Sequence, residues 1–481
     1  MREDYEVVVG LEIHAQLLTC TKLFCGCPNR FGDPSNTNVC PVCLGLPGAL
    51  PVLNRRAVEL ALRMAIAVGS DVQEVSVFAR KNYFYPDLPK GYQISQYEKP
   101  VALGGGVTFT LDGDEKRVRL TRIHIEEDAG KLLHEGFPDA DVKSGVDFNR
   151  AGTPLIEIVS EPELGSPAEA AAYAQTVRSI LEYTEVSDGN MEEGSMRCDA
   201  NVSLRKKGEG SLGTKVEVKN VNSFRYLARA LSFEVERQAA VLDAGGRVSQ
   251  ETRLFDPSTN RTESMRSKEE AHDYRYFPEP DLPPLVVGHA WLDAVRASLP
   301  ELPAARRARL VAELQIPAYD ASVLTASRAL ADYFEAAARV AGNPKAASNW
   351  VMTELLGKLK DMGDTVSASP VSAFNLGELV RLIDEGAVSG KMAKDLFEKM
   401  YASGESPRAL VEREGLTQLT DRGAIEAAAR GVIAANPGPV SQYKGGKQKT
   451  FGFLVGQLIK ATEGRANPQL AGDVLKTLLD E

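Results

Sequence analysis

The spacing of apolar residues changes near residue 290, and this change limits the folds open to the 481-residue chain. From residue 5 to roughly 290, apolar and polar residues alternate in segments such as YEVVVGLEIHAQL, TPLIEIVS and RCDANVSL. Alternation with period two predicts β-strands with one apolar and one polar face. Two helices are expected among these strands. One covers about residues 223 to 244, and the other is opened by Ser166-Pro167-Ala168-Glu169, where Glu169 is expected to return a hydrogen bond to the Ser166 cap.

A proline-rich stretch, YFPEPDLPPL, ends the alternating part of the chain. Fixed φ angles and missing N–H donors prevent a helix or a central strand from continuing through it. Helical spacing follows in ALADYFEAAARVAG and ASNWVMTELLGKLKDM, and after SGESPR short helices alternate with Gly/Pro loops. The sequence therefore predicts three domains, at residues 1–290, 291–405 and 406–481.

The charge and the first residues of the chain restrict its location and its partners. The start, MREDYEVVVG, lacks the apolar core of a signal peptide, and no apolar segment is long enough to cross a bilayer. We therefore expect a cytoplasmic protein whose six cysteines stay reduced. The net charge of −10 means that any contact with nucleic acid has to be a local basic patch.

Four cysteines have the spacing of a metal site. Cys25 and Cys27 form a CxC pair, and Cys40 and Cys43 form a CxxC pair after a loop. Four thiolates that converge in this way suit a structural Zn²⁺, because no position is left for water. The alternative is four unrelated buried thiols. The two other cysteines are expected to be inert small residues of the core, and these are Cys20 and Cys198.

Charged side chains recur on single faces of the predicted strands. Residues i and i+2 share a face, which groups Glu12 with His14, His124 with Glu126 and Asp128, Arg197 with Asp199 and Asn201, and Glu217 with Lys219. The wet face of a sheet accounts for about half of these residues. It accounts poorly for Glu157, because an ionised carboxylate among the aliphatic residues of LIEIV needs a partner. Carboxylates joined by cations suit a site for Mg²⁺ and a triphosphate, with Arg197, Asp199 and Lys219 as cofactor-binding residues, and a histidine ligand would let Mn²⁺ compete.

Several weaker signals carry no function. GEGSLG at residues 208 to 213 has the glycine spacing of a dinucleotide site, but it joins two strands and is expected to be a hairpin loop. No phosphate-binding GxxxxGK[ST] loop occurs, and no nucleophile motif for glutamine hydrolysis is present. Three isolated histidines receive no role, and these are His134, His272 and His289.

Long motifs resemble one family over nearly the whole chain. They are VVGLEIHAQL, SNTNVCPVCLGLPGALPVLN, RKNYFYPDLPKGYQISQ, HIEEDAGK, DFNRAGTPLIEIVSEP, MEEGSMRCDANVS, KVEVKNVNSF, DYRYFPEPDLPPL and GFLVGQLIKATEGRANPQL. The sequence that carries them resembles the B subunits of the aspartyl/glutamyl-tRNA(Asn/Gln) amidotransferases. Family members differ in whether they keep the four cysteines, so the zinc is not expected to be essential to the chemistry.

The resemblance implies an α+β fold with three parts. These are a cradle domain with a mixed, mainly antiparallel sheet, an all-α domain, and a small helical tail similar to the YqeY family. The cradle is implied to bind ATP and Mg²⁺ and to phosphorylate the Asp or Glu side chain of a mischarged tRNA. Ammonia would come from the amidase (glutaminase) subunit of a heterotrimer whose third member is a small subunit.

The resemblance also implies residue roles. The metal positions of the family carry over onto Glu12, His14, Glu126, Glu127 and Glu157. Glu127 fits only if the strand breaks or bends after Ile125, because it otherwise faces away from Glu126. The tail is implied to meet the outer corner of the tRNA, which favours RNA binding by the lysines of YKGGKQKTFGF, namely Lys444, Lys447 and Lys449. Without the resemblance this segment is equally a solvated loop.

Two functions are therefore weighed. The first, which the resemblance implies, is ATP-dependent activation and amidation of Asp-tRNA(Asn) or Glu-tRNA(Gln), and the sequence leaves open which of them is used. The second is a non-catalytic, zinc-containing scaffold that presents tRNA to partner subunits. A scaffold would not need Glu157 within an aliphatic strand.

Overall fold

The computed structural model describes residues 4–267, 274–415, 421–462 and 466–480. His272 lies outside the described residues. The chain divides into two compact units, Met1–Leu302 and Pro303–Glu481. No described helix is both long enough and apolar enough to span a membrane.

The first unit combines strands with four described helices. The helices are α1 (Arg55–Ala67), α2 (Pro167–Tyr183), α3 (Phe224–Asp243) and α4 (His289–Ala297). The strands are β1 (Tyr5–Gln16), β2 (Asp71–Val72), β3 (Val75–Ser76), β4 (Ala79–Asn82), β5 (Tyr92–Ser95), β6 (Ala102–Leu103), β7 (Gly106–Leu111), β8 (Asp114–Glu127), β9 (Lys131–Leu133), β10 (Gly145–Asp147), β11 (Pro154–Ser160), β12 (Met196–Lys206), β13 (Val216–Lys219), β14 (Glu251–Asp256), β15 (Arg261–Ser267), β16 (Phe277–Pro278) and β17 (Leu285–Val286).

Ten of the described strands form one sheet, in the order β15-β14-β13-β12-β1-β11-β8-β6-β2, with β7 paired to β8. The β13–β14 pair is parallel, and the other pairs of this sheet are antiparallel. The predicted mixed, mainly antiparallel sheet is therefore confirmed. The GEGSLG segment joins the antiparallel strands β12 and β13, as the hairpin prediction required.

The two faces of this sheet differ in character because alternate residues of each strand point to opposite sides. Leu11 and Ile13 of β1 share one hydrophobic core with Tyr173 of α2 and Leu227 of α3. Each such aliphatic side chain contributes on the order of 1.5–3 kcal/mol on burial. The opposite face carries residues such as Glu12 and is called the polar face below.

A β-bulge changes which residues of β8 reach the polar face. Leu120 pairs with Ser160, but Arg122 pairs with the preceding residue, Val159, so Thr121 is the extra residue. Even-numbered residues of β8 are buried in the core before the bulge, and odd-numbered ones after it. After the bulge, the even-numbered residues of β8 therefore point to the polar face.

The ends of the helices follow their capping residues. Ser166 Oγ accepts a hydrogen bond from Glu169 N at 3.1 Å, and Pro167 occupies the first turn, as predicted. The Glu169 carboxylate also accepts a hydrogen bond from Gly165 N at 2.9 Å. Ser223 caps α3 in the same way. The prediction of two helices in this region was wrong because it missed α1, an amphipathic helix capped by Asn54.

The second unit is helical throughout its regular elements. Its described helices are α5 (Pro303–Leu314), α6 (Ala318–Leu324), α7 (Arg328–Ala341), α8 (Pro344–Trp350), α9 (Leu356–Met362), α10 (Ala373–Asp384), α11 (Gly390–Ser403), α12 (Pro407–Glu414), α13 (Arg422–Ala435), α14 (Pro437–Lys444), α15 (Lys449–Ala461) and α16 (Pro468–Asp480). A π-helical turn, Val351–Leu355, joins α8 to α9, and Val366–Ala368 is a short 3₁₀ turn.

The buried residues of the second unit form two clusters, one within residues 310–410 and one within 425–479. Two cores agree with the expectation of a helical domain followed by a small tail. The first unit extends beyond the predicted boundary at residue 290, because Val295 of α4 packs into its core. The boundary at residues 405 and 406 stays a prediction.

Candidate active site and metal centres

The register of four neighbouring strands places charged side chains in one row on the polar face. His14 of β1 pairs with Arg197 of β12 on one side and with Glu157 of β11 on the other. Glu157 in turn pairs with His124 of β8. A carboxylate on β11 is therefore flanked by an imidazole on each adjacent strand.

Glu126 completes a cluster with these residues. His14 Nε2 lies 3.3 Å from Glu157 Oε2 and 3.6 Å from Glu126 Oε1. His124 Nε2 lies 3.1 Å from Glu157 Oε2 and 3.6 Å from Glu126 Oε2. The hydroxyl of Ser95 donates to Glu126 Oε2 at 3.1 Å, which fixes that carboxylate. One nitrogen and two carboxylate oxygens, from His14, Glu126 and Glu157, lie within 4.8 Å of one another, a donor set that fits a divalent cation.

Burial and the histidine charges act in opposite directions on these groups. Burial alone would raise the pKa of Glu157, but the positive charges of His124 and His14 hold that pKa well below its usual range. Burial alone would lower the pKa of His124, but the charge of Glu157 and hydrogen bonds to both glutamates raise it to about 9. Without a bound cation, protonated histidines therefore supply the partner that Glu157 needs.

Glu12 lies on the same face, beside the cluster. Burial, followed by the negative charge of Glu157, raises the pKa of Glu12. Its Oε1 accepts a hydrogen bond from Asn201 Nδ2 at 3.0 Å. A cavity of about 300 Å³ opens beside Glu12 and includes Ser203 and Leu212 in its lining. Glu12 thus borders both the cluster and a cavity in the size range of small-molecule sites.

Glu127 lies away from the cluster. β8 continues regularly to residue 127, with Glu126 paired to Leu155 and Glu127 to Pro154, so no break follows Ile125. Glu127 Oε1 accepts a hydrogen bond from Ile94 N at 2.9 Å and forms an ion pair with Lys90. The structure does not bring Glu127 to the other predicted metal ligands, and its predicted role rests on the resemblance alone.

The predicted cofactor-binding residues border the cluster on β12 and β13. Arg197 lies 3.0 Å from Asp128 Oδ1. Lys219 lies 2.9 Å from Asp199 Oδ2 and 3.3 Å from Glu217 Oε1. The strand-face groupings expected from alternation are therefore present, and both cations already pair with carboxylates of the chain.

The four cysteines of the CxC and CxxC pairs converge. One sulfur from each of Cys25, Cys27, Cys40 and Cys43 lies within 4.8 Å of the others. The Sγ atoms of Cys40 and Cys43 are 3.9 Å apart, and tetrahedral Zn–S bonds of about 2.3 Å require a separation of about 3.8 Å. The thiol set fits a structural zinc ion.

The two remaining cysteines behave differently from each other. Cys198 is buried in the core, as expected. Cys20 is exposed, so its expected place in the core was wrong. It follows β1 by only a few residues, where the alternation of the strand no longer determines burial.

His124 belongs to the cluster, but the sequence analysis assigned it no role in the site. Alternation had placed it on the same face as Glu126, so a signal was present.

The tail lysines lie where expected, at the junction between α14 and α15, and Lys444, Lys447 and Lys449 are all exposed. Phe453 is exposed as well, whereas Phe451 packs against Tyr443 with ring centroids 5.6 Å apart.

Comparison with known proteins decides the family. Residues 7–293 match the model of the GatB/GatE catalytic domain, and residues 332–479 match that of the GatB domain. The chain belongs to the GatB/GatE family. The resemblance carried by the sequence motifs is thereby confirmed, and the polar face with its histidine–glutamate cluster lies within the GatB/GatE catalytic domain.

Full-length relatives agree with this assignment. The B subunit of the aspartyl/glutamyl-tRNA(Asn/Gln) amidotransferase of Carboxydothermus hydrogenoformans is 53% identical over 479 residues, which cover 100% of this chain and 99% of the relative. The protein of the same name from Solidesulfovibrio magneticus is 55% identical over 475 residues, 99% of each chain. That of Geotalea uraniireducens is 54% identical over 471 residues, 98% of each.

Proposed function

We propose that this chain activates the side-chain carboxylate of Asp-tRNA(Asn) or Glu-tRNA(Gln) with ATP and amidates it with ammonia from a partner protein. The observation that carries the proposal is the cluster of His14, Glu126 and Glu157 on the polar face. Full-length relatives named as B subunits of this amidotransferase support the substrate.

His14, Glu126 and Glu157 would hold Mg²⁺, with Mn²⁺ as a competitor, and Glu12 would lie at the border of the site. A bound divalent cation supplies neutralisation of the charge that develops on phosphoryl oxygens. His124 would orient Glu157 through the 3.1 Å contact between Nε2 and Oε2. Arg197, Asp199 and Lys219 border the same face and stay the predicted cofactor-binding residues.

The proposed reaction has two steps. An oxygen of the Asp or Glu side chain attacks the γ-phosphorus of ATP, and ADP leaves, which gives an acyl phosphate. Ammonia then attacks the carbonyl carbon, and inorganic phosphate leaves with the former carboxylate oxygen. The acyl phosphate hydrolyses readily, so ammonia is best delivered through protein rather than from solvent.

The proposed partners divide the labour. An amidase (glutaminase) partner would release ammonia from glutamine, because the sequence of this chain has no nucleophile motif for that step. A small third protein would complete a heterotrimer. Zn²⁺ on the four cysteines would be structural, and the lysines at the α14–α15 junction would contact tRNA phosphates.

One experiment tests this proposal. The chain and its partners are incubated with glutamine, γ-labelled ATP and each mischarged tRNA, and the aminoacyl group is then analysed for amide. We expect amide formation that requires ATP and releases labelled phosphate. If the complex forms no amide with either tRNA, the catalytic proposal fails and the scaffold function takes its place.

A further inference from the structure

Two cations near the cluster differ from the other basic residues of the polar face. Arg197 and Lys219 are paired with carboxylates within 3.0 Å. The ammonium of Lys81 of β4 makes no ion pair or hydrogen bond with any described residue, and the guanidinium of Arg122 of β8 forms an ion pair with no described carboxylate. The structure therefore provides two positive charges that are in no direct ion pair with an acidic group of the described residues.

Lys81 is held among aromatic rings rather than acceptors. Its Nζ lies 5.0 Å from the ring centroid of Tyr274 and 5.9 Å from that of Tyr83. Burial alone would lower the pKa of Lys81, but the negative charges of Glu126 and Glu157 help to raise it, so the ammonium stays charged close to the cluster. A half-buried ammonium with three unused donors is costly unless a ligand accepts from it.

Arg122 lies on the polar face, two residues before His124. Its Nε lies 3.4 Å from His124 Nδ1, and this contact is a hydrogen bond only while His124 is neutral, because a protonated imidazole has no acceptor nitrogen. The remaining donors of the guanidinium have no described acceptor, and their planar fork matches the oxygens of a phosphate.

Tyr276 belongs to the aromatic group around Lys81. Its ring centroid lies 6.5 Å from that of Tyr274, the ring that Lys81 Nζ approaches to 5.0 Å, and Phe277 pairs with Arg80 of β4. Tyr276 also stacks on Tyr97, with ring centroids 4.3 Å apart and an angle of 13° between the planes. This stack fixes the ring beside β4, and burial raises the pKa of its phenol.

We propose that Lys81 and Arg122 bind the polyphosphate of the nucleotide, beside the phenol of Tyr276. The inference rests on the proposed function and specifies its nucleotide site. A triphosphate carries more negative charge than one divalent cation neutralises, so further positive groups are required next to the carboxylate cluster. Lys81 and Arg122 meet that need without losing an existing partner, whereas Arg197 and Lys219 would each have to leave a carboxylate.

The test uses the full chain in complex with its partner subunits. Lys81→Met keeps the aliphatic length and removes the charge, Arg122→Gln removes the fork, and Lys81→Arg restores a cation. Lys143→Met is the matched control, because Lys143 is an exposed surface residue paired with Asp139. Binding of labelled ATP with Mg²⁺ is measured by equilibrium dialysis without tRNA, and KM values for ATP and for tRNA are measured in the amidation assay.

We expect Lys81→Met and Arg122→Gln each to weaken ATP binding and raise the KM for ATP by about ten- to a hundredfold, the effect of losing a charged hydrogen-bond partner. The KM for tRNA should change less than about twofold, and Lys81→Arg should recover most of the ATP affinity. Should Lys81→Met fail to fold, Arg122→Gln and Lys81→Arg still report on the site.

Two results would overturn the inference. One is unchanged ATP binding in both charge-removing variants while the wild-type complex forms amide, which leaves the proposed function intact. The other is a rise in the KM for tRNA alone, which would assign the two cations to phosphates of the tRNA. A wild-type complex that neither binds ATP nor forms amide would overturn the proposed function as well.

Discussion

Nε2 of His124 lies 3.1 Å from Oε2 of Glu157 on the adjacent strand. The same carboxylate oxygen is 3.3 Å from Nε2 of His14 on the strand at its other side. Glu157 is therefore the centre of the cluster, and its charge is compensated from both neighbouring strands. Removing this one charge alters the protonation of both histidines and the donor set for a cation together.

The first prediction concerns pH and the metal-free chain. The pKa of His124 is raised from about 6.5 to about 9 by Glu157 and Glu126. A raised pKa stabilises the fold fully below the unfolded value, and this contribution is lost as pH rises from 6.5 through 9. We expect wild type to exceed His124→Gln in free energy of unfolding by about 1 to 3 kcal/mol at pH 6 and by much less at pH 9.5.

Urea unfolding of both proteins, after treatment with chelator, measures this difference across the pH range. His134→Gln serves as the control, since His134 is exposed and its ring forms a hydrogen bond with the exposed hydroxyl of Ser144. A stability difference between wild type and His124→Gln that stays constant with pH would contradict the assigned protonation.

The second prediction concerns zinc. Protein prepared without chelator should contain about one Zn²⁺ per chain, bound by four thiolates. Cys27→Ser should lose most of this metal and unfold at a lower temperature, because structural zinc contributes directly to folding. Cys20→Ser should keep it, because Cys20 is exposed and outside the cluster. If metal analysis finds no zinc in the wild-type protein, the prediction of a structural zinc site is wrong.

The third prediction concerns the junction between α14 and α15. Changing Lys444, Lys447 and Lys449 together to Ala should weaken tRNA binding and flatten the dependence of log K on log salt by up to roughly two units, at about 0.7–0.9 per lost phosphate contact. The KM for tRNA should rise while turnover is kept. Lys476→Ala, an exposed lysine on α16, provides the control. If the slope of log K against log salt is unchanged, the three lysines do not contact tRNA phosphates and are ordinary solvent-exposed residues.

Much of the histidine–glutamate cluster could be predicted because strand alternation is local. It placed His14 with Glu12 and His124 with Glu126, and the aliphatic neighbours of Glu157 indicated a buried charge in need of a partner. Even the bulge at Thr121 has a signal in the sequence. Leu120 and Ile123 are both apolar and both buried, although they are three residues apart, and regular alternation would place them on opposite faces. The same parity argument anticipated that Glu127 faces away from Glu126.

Other features depend on pairings that the sequence does not encode locally. Lys81 and Tyr276 are far apart in sequence, and they meet because β16 pairs with β4 and places the preceding residues beside it. The prediction did not include helix α1, although Asn54 is a suitable N-cap and an apolar stripe follows it. This helix lies between segments of alternating residues, and only strands were predicted there. The four-cysteine cluster could be predicted from the sequence because the two thiols of each CxC or CxxC pair are neighbours in the chain.

Glu157→Gln tests the central claim most directly, because it keeps the shape of the side chain and removes the charge at the centre of the cluster. The assay is ATP-dependent amide formation on mischarged tRNA by the complex with its partner subunits, with the thermal unfolding midpoint of the chain as the control for folding. We predict that amide formation falls by at least about a hundredfold, the loss of roughly 2.7 kcal/mol of transition-state stabilisation, while folding is retained or improved. Near-normal amide formation by a folded Glu157→Gln variant would contradict the account and reduce Glu157 to a structural residue.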